Sequence, residues 1–309
     1  MSLLTALAAN PVLTQYAQQA SQRGIQKVAD FIAPTVPVSA ITGKYKVYSS
    51  KNRFKLPDTR RVPGGTAARI GFTATDGTYD CEPHAIDVPL DMQHIAEGAE
   101  IGMNAAMEAA DLAAEVAGLQ HEKAVIDLAL STAGAGTNVN VNAVDPVDSI
   151  DAQIIAVMRA CPFGSNGVNR IVFGITAWRL FKNSTFVRSR FTTAGVKAIP
   201  NVSLEMASTL FIGNPEIMLS RMVYDTTEEG LTPSYSFLLD SAVLVFLASQ
   251  NPTRTDPSAM KTFRQTGRWL GPRAYTTTDG RGEVFGFDWS HDVVAANADA
   301  IERLNLSAA

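Results

Sequence analysis

From Asp91 to about Ser131 the chain runs without a proline, and most of its residues there are good helix formers. One continuous helix over that stretch, at about 1.5 Å per residue, would be on the order of 60 Å long, more than a small domain needs to fill its core. Met92, Ile95, Ala99, Met103, Ala106, Ala110, Ala113 and Ala117 recur at spacings of three and four and form one narrow stripe, flanked by Gly98 and Gly102. Seven alanines between Ala105 and Ala117 predict a helix that lets another backbone approach closely, either a sheet or a neighbouring chain.

The stretch that leads into this helix and most of the helix itself are strongly acidic. Asp76 to Asp127 holds twelve acids (Asp76, Asp80, Glu82, Asp87, Asp91, Glu97, Glu100, Glu108, Asp111, Glu115, Glu122, Asp127) against one base, Lys123. The preceding segment, Lys44 to Arg69, has the opposite sign: Lys44, Lys46, Lys51, Arg53, Lys55, Arg60, Arg61 and Arg69 face a single acid, Asp58. Glu97 and Glu100, then Glu108, Asp111 and Glu115, stand three or four residues apart on the helix, where like charges repel by a few tenths of a kcal/mol per pair. Such a face is more comfortable opposite cations. An extended basic arm points away from its own helix, so a neighbouring copy of the chain is the natural recipient. The competing reading is an acidic face that simply meets water.

Within the basic segment, Lys44-Tyr45-Lys46-Val47-Tyr48 alternates as a strand, with Tyr45 and Val47 on one side and cations on the other. Asn52 to Ala68 has turn residues (Pro57, Pro63, Gly64, Gly65) and too few large apolar side chains for a core. Arg69 to Thr75, with Ile70 and Phe72, and Thr78 to Ile86 read as further strand, giving a long two-stranded projection. Loops of this length in compact domains typically serve a function or bind something.

The chain has 309 residues, enough for two domains at about 150 residues each. Its second half alternates in α/β fashion. Gly134 to Asn142 is a turn segment; Val147 to Ala160 is a helix with Val147, Ile150, Ile154, Ile155 and Met158 on one face; Arg170 to Ile175 is a buried strand; Trp178, Leu180 and Phe181 lie on a further helix. Leu204 to Leu210 reads as a short helix, Glu216 to Tyr224 as a strand-like run and Ser236 to Ser249 as the most apolar strand. After Asn251-Pro252 comes a polar stretch to Arg281. Glu283 to Trp289 then returns to extended structure through Val293 and Val294, taking the C-terminal part back to the first domain. Gln15 to Gln22 makes the N-terminal arm polar.

A net charge of −4 argues against a chain that coats nucleic acid through a global basic surface. Cys81 and Cys161 are the only cysteines, so no disulfide framework carries the fold; a reducing compartment is expected, with both thiols acting as small buried hydrophobes. No secretory signal or membrane span is expected, because the strongest apolar run, Phe237 to Ala248, is short and interrupted by Asp240.

No catalytic, cofactor-binding or metal-binding constellation emerges. His121-Glu122 would need a second histidine four residues on for metalloprotease chemistry, and Val125 stands there. His84, His94 and His291 have no ligand-spaced partner and read as surface or hydrogen-bonded core histidines. Gly134 to Val139 starts like a dinucleotide fingerprint but lacks its third glycine and follows a helix. Gly164-Ser165-Asn166-Gly167 lacks the nucleophile-elbow spacing, and Asn183-Ser184-Thr185 is a glycosylation acceptor without meaning in a chain that is not secreted. An enzyme is not expected.

In order and texture these features resemble the major capsid proteins of tailed bacteriophages with the Hong Kong 97-like fold. The resemblance rests on Val28 to Val38, on Gly43-Lys44-Tyr45-Lys46-Val47-Tyr48, on Arg60-Arg61-Val62-Pro63-Gly64-Gly65 and the Cys81-Glu82 strand, and on Val223 to Gly230 followed by Pro233-Ser234. It covers roughly residues 28 to 300 and lies in the succession rather than in any one motif. It implies an α+β fold with an N-terminal arm (1–33), a strand leading into the peripheral domain (34–50), an extended β-hairpin loop (51–80), a peripheral domain with a long spine helix (81–140), an α/β axial domain (141–280), and a return strand with the C-terminal part of the peripheral domain (281–309).

The implied function is structural: self-assembly into pentamers and hexamers of an icosahedral head enclosing double-stranded DNA. Lys51, Arg53, Lys55, Arg60, Arg61 and Arg69 of one subunit would meet Glu97, Glu100, Glu108, Asp111 and Glu115 of the next. The implied partners are further copies of the chain, a portal, a separate scaffolding protein or a protease, and DNA held without sequence preference; no cofactor and no membrane are implied. The place would be the virion, assembled in the host cytoplasm. Lys51 and Lys55 are loop lysines, yet nothing identifies an asparagine and acid partner for covalent cross-linking. An encapsulin-like cargo shell of the same fold is the nearest alternative, and a two-domain α/β enzyme or a nucleic-acid-binding module the more distant one.

Overall fold

The computed structural model describes residues 27–48, 56–61, 63–69, 71, 74–93, 95–96, 105–160, 169–191, 202–228, 230–266 and 271–308. In chain order, the first elements are α1 (Ala29–Ile32), β1 (Thr35–Val38), β2 (Thr42–Tyr48), β3 (Ala74–Asp80), β4 (Glu82–Asp91), α2 (Ala105–Thr132) and β5 (Thr137–Asn140). They are followed by α3 (Pro146–Ala160), β6 (Arg170–Phe173), α4 (Ile175–Asn183), α5 (Thr185–Phe191), α6 (Leu204–Ser208), β7 (Glu216–Leu219), β8 (Val223–Asp225), β9 (Tyr235–Phe237) and β10 (Ala242–Phe246). The last are β11 (Met260–Gln265), β12 (Gly271–Thr276), β13 (Gly282–Ala295), a 3-10 turn (Ala298–Ala300) and β14 (Ile301–Ser307).

Two five-stranded sheets organise these elements. In the first, the long β13 pairs with β4 along one side and with β11 and β12 along the other, and β1 runs parallel to β11. The second has the order β5-β14-β10-β6-β7. Its centre is a fully apolar strand: Ala242 to Phe246 are all buried, between the helices of the main core. Strand pairing cuts across the expected boundaries at 140 and 280. β5 and β14 belong to the second sheet, while β11 and β12 belong to the first.

The long helix exists as expected from Ala105 onward, at roughly 42 Å for its length; Ala99, Met103, Glu97 and Glu100 lie outside the described residues. Ala110, Ala113 and Ala117 of the expected stripe are buried, together with Ala109 and Ala114. Met92 is exposed and Ile95 half-buried. The small side chains let α2 lie against β4 and β13. On that face the two strands present paired Val88 and Phe285, Ile86 and Phe287, and His84 and Trp289.

Several strands differ from expectation, each for a local reason. The Ser236–Ser249 run is broken at residues 238–241 because carbonyls there serve α4: Leu239 and Asp240 accept from the amides of Ile175 and Ala177. Ile175 consequently starts a helix instead of ending β6. The Glu216–Tyr224 run splits into β7 and β8. Arg69 and Gly71 are outside any strand, β3 starting at Ala74. The polar stretch before Arg281 conceals β11, whose Lys261 is fully buried. Its ammonium donates to the Thr253 carbonyl at 2.9 Å and the Asp256 carbonyl at 2.8 Å, and pairs with Asp256 Oδ1 at 2.8 Å. Burial pushes the Asp256 carboxyl up, but donors from Lys261, Ser258 and Thr253 outweigh it and hold the group below the usual range.

Glu122 joins the parts. This carboxylate is fully buried on α2, and its Oε1 accepts from the amides of Val28 at 2.5 Å and Ala29 at 3.0 Å. Those amides open α1, whose own N-cap residue supplies no side-chain acceptor. Arg170 of β6 closes the other end, donating to the Phe31 carbonyl at 2.9 Å with its guanidinium over the Phe31 ring. Thr262 of β11 donates its backbone amide to Pro34 and its hydroxyl to Ala33. One turn of helix is thus tied to the spine and to both sheets.

Glu122→Ala should strand two buried amides and lower unfolding stability by about 3 kcal/mol in urea titration, whereas Glu122→Gln, which keeps an acceptor oxygen, should cost less than half of that. Lys261→Met should leave Asp256 as a buried charge without its counter-ion and cost about 3–5 kcal/mol in the same measurement.

Candidate interface surfaces

The base of the basic arm is a β2–β3 hairpin held by reciprocal tyrosine–glycine pairs. Gly43 stands opposite Tyr79 and Tyr45 opposite Gly77, and each ring lies over the glycine facing it, where any Cβ would collide with the ring. Both rings then pack on Phe263 of β11, Tyr79 stacked at 4.4 Å and Tyr45 tilted at 5.6 Å between centroids. Cys81 is buried in the same small cluster, as expected of a small hydrophobe, and burial pushes its thiol up to about 11. Cys161 lies outside the described residues.

The outer side of this hairpin carries Lys44 and Lys46, and Asp76 takes both: Lys46 through a short hydrogen-bonded ion pair and Lys44 at 3.8 Å. Two of the arm's eight bases are therefore met by one carboxylate of their own chain. Lys51, Arg53 and Lys55 lie outside the described residues. Arg60, Arg61 and Arg69 are exposed, and no carboxylate among the described residues is within ion-pair distance of them. Leu56 stands beside them with 99% of its surface exposed.

On α2, Glu108 and Glu115 are exposed and Asp111 is half-buried. The field of Glu115 reaches Lys27, so part of this acidity is answered inside the chain. Leu112 and Val116 are 51% and 43% exposed on the same helix, at positions four and eight residues after Glu108. The structure brings none of the described arm bases to these helix acids within one chain. Each surface instead mixes charge of one sign with exposed apolar side chains.

Sequence reading missed two further surfaces. The β8–β9 hairpin turns Tyr224 toward the core and shows Val223, Tyr235 and Phe237 to the outside. On the far face of the first sheet, Asp87 accepts from Arg273 at 2.9 Å and Tyr275 at 2.8 Å, and Arg273 reaches Asp288 at 3.4 Å. The hydrogen bond from Tyr275, with that from Arg273, holds the Asp87 carboxyl below its usual range. Beyond this network, β4 is an outer strand among the described residues. Pro83 and Pro89, six positions apart, place both nitrogens on one side of β4, and a proline nitrogen fits only the side facing away from β13.

Among the described residues no group of His, Cys, Asp and Glu side chains is arranged to hold a metal ion, and no helix is long and apolar enough to cross a membrane. His84, His121 and His291 nevertheless come together at the α2–sheet seam, while His94 lies outside the described residues.

No family profile and no curated protein matches the chain by sequence. Solved structures do. A phage-related protein from Bordetella bronchiseptica RB50 superposes with a TM-score of 0.69 at 16% identity, covering 96% of both chains. The capsid structure of cyanophage P-SCSP1u gives 0.58 at 12% identity over 93% of this chain and 90% of that one. A virus-like particle from Pyrococcus furiosus gives 0.54 at 12% identity over 95% and 98%. The chain therefore has the fold of phage major capsid proteins, the α+β architecture expected from the order of its sequence features.

Because the guanidinium groups of Arg60 and Arg61 form no ion pair among the described residues, the double reversal Arg60→Glu, Arg61→Glu should leave the melting temperature of the unassembled subunit within about 2 °C of the parent by scanning calorimetry.

Proposed function

We propose that this chain is a structural subunit of a closed protein shell, the major capsid protein of a tailed phage, forming pentamers and hexamers of an icosahedral head around double-stranded DNA. The observation that carries the reading is the likeness to capsid structures over more than nine-tenths of this chain. On this reading the first sheet with α2 is the peripheral domain, the second sheet with α3 to α6 the axial domain, and the segment between β2 and β3 the extended loop. Its role is mechanical rather than enzymatic. Its partners would be other copies, a portal, a separate scaffolding protein or a protease, and DNA held without sequence preference; its place would be the virion, after assembly in the host cytoplasm.

The surfaces support such an assembly. Rings need two different patches that complement each other head to tail. A basic loop carrying Leu56, Arg60, Arg61 and Arg69, and an acidic helix face carrying Glu108, Leu112, Glu115 and Val116, make such a pair. Lys51, Arg53 and Lys55 on the loop and Glu97, Glu100 and Asp111 on the helix would extend the contact. Each exposed ion pair contributes only about 0–1 kcal/mol, so strength comes from repetition around a closed lattice. A cargo-holding shell of the encapsulin kind is the second reading, favoured by the likeness to the Pyrococcus particle.

Negative-stain microscopy of the purified protein should show capsomers or closed shells under assembly conditions; a chain that stays monomeric in all of them would sink the proposal. Arg60→Glu, Arg61→Glu should reduce assembly at least tenfold by sedimentation, and the parent's assembly should weaken between low and high salt.

A further inference from the structure

Three of the chain's four histidines come from three different elements and meet at one seam. His84 of β4 stacks on Trp289 of β13 with 5.5 Å between ring centroids and lies 4.8 Å from His291, also on β13. His121 of α2 meets His291 edge-on at 5.0 Å. The rings therefore bridge the long helix and the first sheet. Among the described residues neither ring nitrogen of His121 has a hydrogen-bond partner, nor has Nδ1 of His291, and all three atoms are buried. A neutral ring can be held there by packing alone; an imidazolium would be desolvated with nothing to accept its protons.

The surrounding charges favour the neutral form. Arg264 of β11 and Lys27, just before α1, are cations acting on His121, and Arg264 acts on His291 as well. Asp30 of α1 opposes them at His121. Glu122, next along α2, commits Oε1 to the α1 amides. Glu82 stands opposite His291 in the β4–β13 register and is exposed. A second proton in the stack would also repel the first.

We propose that the contact between His121 and His291, backed by His84 stacked on Trp289, is an acid-sensitive latch that holds the long helix to the first sheet while the His121 and His291 rings are neutral and releases it when those two take protons. The proposal rests on packing within one chain and holds whether or not the chain builds a shell. Burial, then the charges of Arg264 and Lys27, bring His121 down to about 4; burial, then the neighbouring His121 and His84, bring His291 down to about 3. A free imidazole titrates near ~6.5, so an opened state accepts protons that the latched state refuses. The latch is at full strength above about pH 6.5 and weakens as the pH falls from there toward 4, by up to ~100-fold per pH unit in the closed-to-open ratio for two linked protons. Burial pushes the Glu122 carboxyl the other way, upward, so its protonation favours the closed state at low pH. Acid loosening of this seam therefore cannot come from Glu122.

The test is hydrogen exchange on the full-length chain from pH 7.5 to 4.5, corrected for the intrinsic pH dependence of exchange. Protection of α2 amides over residues 109–125 should fall at least tenfold per pH unit below about pH 6, with α3 amides little changed. In the double variant His121→Leu, His291→Phe the profile should be flat. Protection of α2 that does not change with pH overturns the latch. So does a fall shared equally by α3, or one that survives in the double variant. If the variant does not fold, ring-proton titration of the parent protein decides: His121 and His291 neutral down to pH 5 supports the latch, and titration of either near 6.5 overturns it.

Discussion

The fold depends on a carboxylate with no access to water. Glu122 takes the two amides that open α1, and with them it fixes where the N-terminal segment enters the molecule. A buried carboxylate is costly unless its acceptors are used. Oε1 is used twice, and the ammonium of Lys27 contributes an opposing charge across the space that Gly118 leaves free of a side chain. Because α1 is only one turn long, it has almost no stability of its own. Glu122 at its start, Arg170 at its end and Thr262 just beyond make it a joint between spine, second sheet and first sheet.

The same economy recurs at two places where the chain passes between sheets. The crossing from β10 to β11 is locked by Lys261, which gives its donors to two carbonyls and one carboxylate in the loop it has just left. The crossing from β13 to β14 uses the 3-10 turn at Ala298–Ala300, where the Ala300 carbonyl accepts from the Leu247 amide. Polar groups at these junctions specify one path for the chain, while the apolar interiors of the sheets only require burial. The basic hairpin obeys a different rule. It is attached through aromatic rings packed on Phe263, and its outer surface is left to charge.

Much of this was legible in the residues. The alanines of α2 announced a helix that lies close to another surface, because Ala110, Ala113 and Ala117 share a face at any plausible helical boundary. The alternation of Lys44, Tyr45, Lys46 and Val47 gave the correct inside and outside of β2. What stayed hidden was structure stabilised from far away. β11 reads as polar because its buried lysine is satisfied by a loop, and β14 buries Ile301, Leu304 and Leu306, a spacing that fits neither a strand nor a helix cleanly. The histidine stack was invisible for the same reason: His84, His121 and His291 sit far apart in sequence, and only the pairing of β4 with β13 under α2 collects them. Of the proposed interface, the residues displayed the charges, while the answer to Lys44 and Lys46 by Asp76 became clear only from the register of β2 and β3.

The two prolines on the outer strand of the first sheet have a consequence beyond the single chain. Ten residues of β4 could otherwise offer a ladder of amides and carbonyls to any strand that came alongside. With Pro83 and Pro89 near its two ends, that rim lacks two of the amides a full ladder would use and is a poor template for another copy. Copies meeting along β4 would then have to recognise one another through side chains, whose contacts are individually weak enough to break. A misplaced neighbour can let go and try again, whereas a backbone ladder would make the first mistake permanent.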